Sequence, residues 1–142
     1  MVMRLTQIHD TLKQGLVSYL IDHAQRTGVS AYVGEGLNSW SAAHVPDTAR
    51  LYRLVLEQGR PGARYHASAE VEVSFKSIAQ AVSQRLGVPL VSLSPEKVID
   101  HFGWLATFVD KDLKATSTQT RAELGWEPTG PSLLEDLQSA QL

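Results

Sequence analysis

The chain has 142 residues, of which 43% are hydrophobic and 20% are charged, and its formal net charge at pH 7 is −2. These values are typical of a globular protein, and the length predicts a single domain over residues 1–142. The 13 Lys and Arg residues are scattered rather than gathered into a basic stripe, so we expect no nucleic-acid partner.

The cysteine count and the hydropathy pattern limit which cofactors, which cellular compartment and which partners are expected. There is no cysteine, which excludes disulfides, iron–sulfur clusters and Cys-ligated zinc. A cysteine-free chain fits a reducing compartment, so we expect a cytoplasmic protein. No apolar run approaches the ~20 residues of a membrane span, and the first residues lack the apolar core of a signal peptide. We therefore expect no membrane partner.

The start of the chain predicts a strand, a loop and a helix. Residues 1–5 form a short apolar run that predicts a buried strand, and residues 7–10 predict a loop. The apolar residues that follow recur every four positions and predict an amphipathic helix, namely Leu12, Leu16, Leu20 and Ala24. Gly28 is predicted to end this helix, because glycine adopts the left-handed conformation at low cost.

A β-hairpin and a second helix are predicted next. Residues 31–33 and 40–44 are predicted strands on either side of Gly34-Glu35-Gly36-Leu37-Asn38, which has the chemistry of a hairpin turn. Pro46 and Asp47 then fit the first turn of a helix, by the fixed φ of proline and by charge against the helix dipole. This helix is predicted to end at Gly59.

The second half of the chain alternates helices and strands. Ser74 is predicted as the N-cap of a helix that ends at Gly87, and Ser94-Pro95 predicts another helix start. Phe102 and Trp104 are predicted to lie in the core. The other predicted elements are strands over residues 65–67 and 89–93 and helices over residues 118–124 and 133–137. Alternating elements with short connections predict an α/β or α+β fold.

The glycines at 34 and 36 do not complete a dinucleotide-binding motif. Gly34-Glu35-Gly36 begins like the Gly-x-Gly-x-x-Gly fingerprint, but Ser39 stands in place of the third glycine and no helix is predicted to follow. A hairpin turn is the better interpretation. The chain also has no P-loop and no Gly-x-Ser-x-Gly nucleophile elbow.

The five histidines show no spacing that would place two of them on one helix face, so no metal site is predicted. His66 lies between apolar neighbours in a predicted strand, which is typical of a hydrogen-bonded core histidine. His9 and His44 lie at strand ends, where side chains can point into a cleft. Asn38 and Trp40 flank the predicted turn as an amide and an aromatic face, a pair suited to a small polar ligand. A core tryptophan and a turn asparagine are an equally good interpretation.

Several stretches, taken together and in order, resemble one family. They are Arg4-Leu5-Thr6-Gln7-Ile8-His9-Asp10, the stretch from Ala31 to Asp47, Tyr65-His66-Ala67, and Glu123-Leu124-Gly125-Trp126-Glu127-Pro128-Thr129. Their order and spacing resemble the C-terminal, substrate-binding part of NAD(P)-dependent epimerase/dehydratase-like extended short-chain dehydrogenases/reductases. Thr6 departs from the pattern, because the family usually has a proline there that shapes the loop near the nicotinamide.

The resemblance implies a fold in two parts, of which this chain carries one. In the family an N-terminal Rossmann part binds NAD(P), and a Tyr-x-x-x-Lys pair serves acid–base chemistry. The residues four positions after the four tyrosines are histidine, glycine, leucine and alanine, and none is lysine. With neither the pair nor the fingerprint present, we expect that the Rossmann part is absent, that the chain alone binds no cofactor, and that it has no catalytic residues of its own.

The resemblance leaves three functions open. The first is a small-molecule binding domain that is not catalytic alone, with a pocket formed by Gln7, His9, Asn38, Trp40 and His44. The second is one half of a split NAD(P)-dependent oxidoreductase or epimerase, completed by a separate Rossmann-type chain. The third is a structural or interaction module. Because the first strand would lack its usual neighbours, we also expect a homodimer formed through residues 1–27.

Overall fold

The computed structural model describes residues 1–142 as a mixed α/β fold. The strands are β1 (Val2–Leu5), β2 (Gln7–His9), β3 (Ser30–Val33), β4 (Ser39–His44), β5 (Arg64–Ala67), β6 (Glu70–Ser74) and β7 (Leu90–Leu93). The helices are α1 (Leu16–Thr27), α2 (Val45–Gln58), α3 (Phe75–Leu86), α4 (Val98–Phe102), α5 (Ala106–Val109), α6 (Thr118–Leu124) and α7 (Leu133–Gln138). None of them combines the length and the hydropathy that crossing a bilayer requires.

The seven strands form three small sheets rather than one continuous sheet. β1 pairs in parallel with β5, and β3 pairs in parallel with β7. The third sheet has the order β2-β4-β6, with β2 parallel and β6 antiparallel to β4. The register of β2 on β4 sets His9 beside His44, so two imidazoles meet where the two parallel strands end.

The predicted hairpin between residues 31 and 44 is wrong. β3 and β4 are neighbours in sequence but belong to different sheets, because β3 pairs with β7 and β4 lies between β2 and β6. The turn chemistry itself is present, since Gly34 and Gly36 both have positive φ. The chain turns there and continues into another sheet, and a side chain at Gly36 would collide with Lys76 and Tyr32.

The start of the chain also differs from its prediction. Residues 2–5 do form a strand, but it is not buried, because Val2 and Leu5 are 49% and 53% exposed. The predicted loop at residues 7–10 is wrong over Gln7–His9, which is β2. The first helix begins at Leu16, so Leu12 lies outside it and is exposed.

Local sequence signals placed most helix ends correctly. Gly28, Gly87 and Gly125 each end a helix in the left-handed conformation. The Ser74 hydroxyl caps α3 by accepting a hydrogen bond from the Ser77 amide, and proline lies in the first turn of α2. The start predicted at Ser94-Pro95 is a single 3₁₀ turn, Pro95–Lys97, which leads into α4. β6 was not predicted.

The buried apolar side chains form two clusters. The large cluster has 18 residues and lies between α1, α3, α7, the 98–109 segment and strands β3, β4 and β6. Phe102 belongs to it as predicted, whereas Trp104 is 57% exposed and does not. The small cluster has 7 residues and lies between α2, α6 and β5, with Tyr65 and Trp126 as its largest side chains.

Candidate functional site

Two histidines and an aspartate meet at the carboxyl ends of β2 and β4. Asp136 Oδ2 accepts hydrogen bonds from His9 Nδ1 at 2.5 Å and from His44 Nδ1 at 2.9 Å. The His9 and Asp136 side chains are 0% and 5% exposed, and that of His44 is 17% exposed. We call these three residues the His-Asp-His cluster.

Each member of the cluster is held by a different element. His9 ends β2 and His44 ends β4, and their parallel pairing fixes the two rings 5.6 Å apart between centroids. Asp136 lies on α7, which begins with a complete capping box between Ser132 and Glu135. The cap and the burial of Leu133 and Leu137 orient α7 so that its aspartate faces the strand ends.

A second buried carboxylate, Asp47, supports the neighbouring loop. Its Oδ1 accepts a hydrogen bond from the Thr129 amide at 3.1 Å, and its Oδ2 accepts one from the Gly130 amide at 2.8 Å. Burial opposes ionisation of Asp47, but these two amides and the Arg50 guanidinium outweigh it and lower the pKa of this carboxyl. A Cβ at Gly130 would lie 2.7 Å from the His44 ring and 2.8 Å from Asp47, so the loop closes tightly over this end of the cluster.

The side chains of Asn38 and Trp40 both donate hydrogen bonds to backbone carbonyls rather than facing a pocket together. Asn38 Nδ2 donates to the carbonyls of Val109 and Lys111, and Trp40 Nε1 donates to the Lys111 carbonyl at 3.1 Å. The Trp40 ring is fully buried and packs edge-to-face on Phe75. These contacts fit the interpretation of a core tryptophan and a structural asparagine. Ligand binding by these two side chains stays a prediction.

Gln7 lies in a groove on another side of β2. The groove has a volume of about 680 Å³ and is lined by Arg4, Leu5, Thr6, Gln7, His66 and residues 112–116. The Gln7 side chain is mostly buried, and its Oε1 accepts a hydrogen bond from the Leu16 amide at 2.8 Å. His66 is partly exposed rather than in the core, with Nδ1 hydrogen-bonded to the Thr116 carbonyl. The five predicted site residues thus fall at three places.

Sequence reasoning identified two members of the His-Asp-His cluster and missed the third. Asp136 lies 127 residues after His9 and 92 after His44, in a helix predicted only from its apolar positions. The spacing of the histidines therefore contained no signal of a shared acid. The three residues are the ones that could hold a metal ion, because their ligand atoms all lie within 4.8 Å of one another.

Three curated proteins resemble the chain in sequence. The uncharacterized protein YLL056C of Saccharomyces cerevisiae is 42% identical over 132 residues, which are 93% of this chain and 44% of that protein. The uncharacterized protein C2A9.02 of Schizosaccharomyces pombe is 41% identical over 132 residues, 93% of this chain and 45% of that protein. A probable dTDP-glucose 4,6-dehydratase of Sinorhizobium fredii is 31% identical over 100 residues, 66% of this chain and 27% of that protein.

The chain therefore spans less than half the length of the curated relatives it matches. No family model matches the chain.

Solved structures resemble the chain over nearly its whole length. The dTDP-glucose 4,6-dehydratase DesIV of Streptomyces venezuelae, with NAD and TYD bound, matches with a TM-score of 0.66 and 19% identity over 96% of this chain and 42% of that one. The UDP-glucose 4-epimerase of Thermotoga maritima, with UDP-glucose, matches with a TM-score of 0.67 and 18% identity over 98% of this chain and 43% of that one. The mixed α/β fold is therefore that of the C-terminal portion of epimerase/dehydratase structures.

Proposed function

We propose that residues 1–142 form the substrate-binding part of an NAD(P)-dependent epimerase/dehydratase-like oxidoreductase, and that they bind a small molecule without catalysing a reaction unaided. The observation that carries the proposal is the structural likeness over 96% and 98% of this chain to DesIV and to the Thermotoga epimerase. The chain covers 42% and 43% of those enzymes, which were solved with NAD and TYD and with UDP-glucose.

The groove beside β1 and β2 is the best candidate for the small molecule. Its volume of about 680 Å³ falls in the range of about 300–1,000 Å³ that is usual for ligand pockets. Arg4 supplies a positive charge on its wall, Lys114 is paired with Glu72, and Asp112 adds a carboxylate. Thr6, His66 and Thr116 supply hydrogen-bonding groups. Such a lining suits a polar ligand that carries carbonyl, hydroxyl or phosphate oxygens.

The sequence of residues 1–142 gives no support for a dinucleotide-binding site. The Gly-x-Gly-x-x-Gly fingerprint is incomplete at Ser39, and no tyrosine is followed by lysine four positions later. The hydride-transfer cofactor and the acid–base pair would therefore come from residues outside 1–142. Binding of NAD(P)H would then depend on those residues, whereas binding of the small molecule would not.

The test is a pair of titrations on the purified chain. NADH and NADPH are titrated up to hundreds of micromolar, and the protein is expected to cause no change in their fluorescence, because the chain carries no dinucleotide fingerprint. UDP-glucose and dTDP-glucose, followed by isothermal titration calorimetry and NMR shifts, are the probes for the groove. Saturable NADH binding would contradict the non-catalytic part of the proposal. Shifts confined to residues outside the groove would contradict its location.

A matched pair of arginine variants sharpens the groove assignment. Arg4→Ala removes a cation from the groove, and Arg53→Ala removes an exposed cation from α2, which the groove does not include. A sugar nucleotide bound in the groove should lose roughly 1–3 kcal/mol of binding free energy in Arg4→Ala, the usual size for a charged hydrogen bond. The Arg53→Ala variant should bind like the unchanged chain.

A second candidate is one half of a split enzyme, and the exposed strand β1 favours it. β1 has one strand partner, β5, so its other edge is unpaired, and Met1, Val2 and Leu5 are about half exposed. A separate Rossmann-type chain could cover this edge. The part of YLL056C that this chain does not match, expressed separately, is the partner to test by co-purification. Its failure to bind would leave the first candidate.

The third candidate is an interaction module that has the fold but no ligand. Alanine at His44 and at Trp40 is the test, because both were predicted to line the pocket; Trp40 is fully buried, so Trp40→Ala counts only where circular dichroism shows the fold unchanged. If the groove binds a probe and both variants bind it unchanged, their predicted role in the pocket is lost. If no probe binds and the chain is a homodimer through residues 1–27, the interaction module is the better description.

A further inference from the structure

We propose that the His-Asp-His cluster binds one divalent transition-metal ion, with Zn²⁺ as the first ion to test. One ligand atom from each of the three residues lies within 4.8 Å of the others. We assign them as His9 Nδ1, His44 Nδ1 and Asp136 Oδ2, because the two nitrogens lie 2.5 Å and 2.9 Å from that oxygen. Two imidazoles and one carboxylate form a ligand set that suits zinc, cobalt, nickel and iron, and that leaves further coordination positions for water or another ligand. This inference is independent of the proposed function.

The charge of the cluster is the first argument for a cation. Asp136 is 4% exposed, and its only hydrogen-bonding partners are the two imidazoles. No lysine or arginine forms an ion pair with it, in contrast to Asp47, which has Arg50. A carboxylate at this depth needs a compensating positive charge. A metal ion between the three side chains would supply it, and a proton on one imidazole is the alternative source.

The convergence of the three atoms is the second argument. Both imidazoles present the same nitrogen, Nδ1, to the same oxygen, at 2.5 Å and 2.9 Å. Metal–ligand distances of about 2.0–2.2 Å place the ligand atoms of a tetrahedral site about 3.3 Å apart. The His9 Nδ1–Oδ2 separation would therefore widen by about 0.8 Å and the His44 one by about 0.4 Å, as the metal replaces the protons now shared with Asp136.

The burial of the cluster determines how an ion would enter. His9 and Asp136 are closed off, and the His44 side chain is the most exposed of the three at 17%. Entry is therefore from the His44 side, and a fourth ligand would bind there. Strand pairing fixes the backbones of His9 and His44, so the site is preorganised on two of its three ligands.

The experiment uses the full chain after treatment with EDTA. Titration with Co²⁺, followed by visible d–d absorption, and with Zn²⁺, followed by calorimetry, is expected to show one ion per chain. Zn²⁺ should also raise the melting temperature, because an ion bound only by the folded state stabilises it. If Co²⁺ gives no d–d bands and Zn²⁺ gives no heat of binding, the proposal is overturned. The three side chains would then serve only to hydrogen-bond one another.

Variants locate the ion. His44→Gln and Asp136→Asn are each expected to weaken binding of Zn²⁺ by at least about tenfold. The matched control is His66→Gln, because His66 is another half-buried histidine and lies outside the cluster. Circular dichroism checks the fold of each variant, and the Co²⁺ spectrum of the unchanged chain remains decisive if Asp136→Asn unfolds. Equal binding by all three variants would place the ion elsewhere and overturn the assignment.

Discussion

The two apolar clusters differ in how completely the chain covers them. The large cluster is enclosed by α1, α3, α7 and the 98–109 segment, with Trp40 and Phe75 fully buried at its centre. The small cluster lies beneath α2 and β5, but β1 beside it leaves Met1, Val2 and Leu5 about half exposed. The large cluster is therefore covered by the chain's own helices, whereas the β1 side leaves apolar side chains exposed. Five predictions, at four residues, test this difference.

The largest expected effect is at the centre of the large cluster. Trp40→Ala should lower the free energy of unfolding by about 3–5 kcal/mol, because it leaves a cavity and removes one of the two side-chain donors to the Lys111 carbonyl, which keeps the hydrogen bond from Asn38. Trp104→Ala is the control, since that ring is 57% exposed; it loses edge-to-face contacts with Tyr19 and Phe108 and should lower the value by only about 1–2 kcal/mol. Urea denaturation measures both. Equal losses in the two variants would show that the large cluster is not centred on Trp40.

The next effect concerns Asp47, which joins α2 of the small cluster to the 129–130 loop. Asp47→Asn should lower the free energy of unfolding by about 1–3 kcal/mol, because the amides of Thr129 and Gly130 and the Arg50 guanidinium lose a buried carboxylate. Asp47 is 2% exposed, so solvent screens its hydrogen bonds to the two amides only weakly, whereas the Arg50 side chain is 52% exposed and its ion pair contributes less.

The same residue predicts a pH dependence. Burial opposes its ionisation, but the amide hydrogen bonds and Arg50 lower its pKa below the ordinary 3.8. A lowered carboxyl pKa contributes stability that is present above about pH 4 and is lost as the pH falls through the folded-state pKa. Asp47→Asn should therefore flatten the acid limb of the stability profile. An unchanged acid limb would contradict this account.

A smaller effect is expected at His101, on the border of the large cluster. Burial, and then the neighbouring His23, lower its pKa below the ordinary 6.5. The neutral form is favoured in the folded state, so stability should be full above about pH 6.5 and should fall below it, until the folded-state pKa is reached. NMR titration of the ring proton checks the shift, and His101→Gln should remove this part of the pH dependence. A ring that titrates at or above 6.5 would be evidence against it.

The smallest effect on stability is predicted at β1. Leu5→Lys should change the free energy of unfolding by less than about 0.5 kcal/mol, because Leu5 is 53% exposed. It should nevertheless weaken the predicted homodimer, measured by analytical ultracentrifugation. Leu56→Lys, at an exposed position on α2 outside residues 1–27, is the control. A monomeric unsubstituted chain at micromolar concentration would contradict the homodimer.

What the sequence could predict depends on whether the signal was local. Helix α6 was predicted at its observed bounds, and Ser74 and Gly87 were placed correctly, because caps and left-handed glycines depend on residues next to them. The pairing of β3 with β7 joins Ser30 to Leu90 and could not be predicted this way. The hairpin prediction failed because turn chemistry fixes a turn, but does not fix the partner of the strand that follows.

The candidate site shows the same division. His9 and His44 were identified from their position at strand ends, which is a local property. Asp136 was missed because its relation to them depends on how α7 packs. Trp40 could be interpreted as core or pocket from sequence, and its burial depends on the strands of another part of the chain.

The sequence separation within the cluster also has a consequence for biosynthesis. His9 and Asp136 are 127 residues apart, so at about 5–20 residues per second roughly 6–25 s pass on the ribosome between their synthesis. During that interval β2 and β4 can align their imidazoles, but the acid that pairs with them does not yet exist. Closing so long a loop is entropically costly and slows folding. The junction of α7 with the two strands should therefore be among the last contacts that the nascent chain completes.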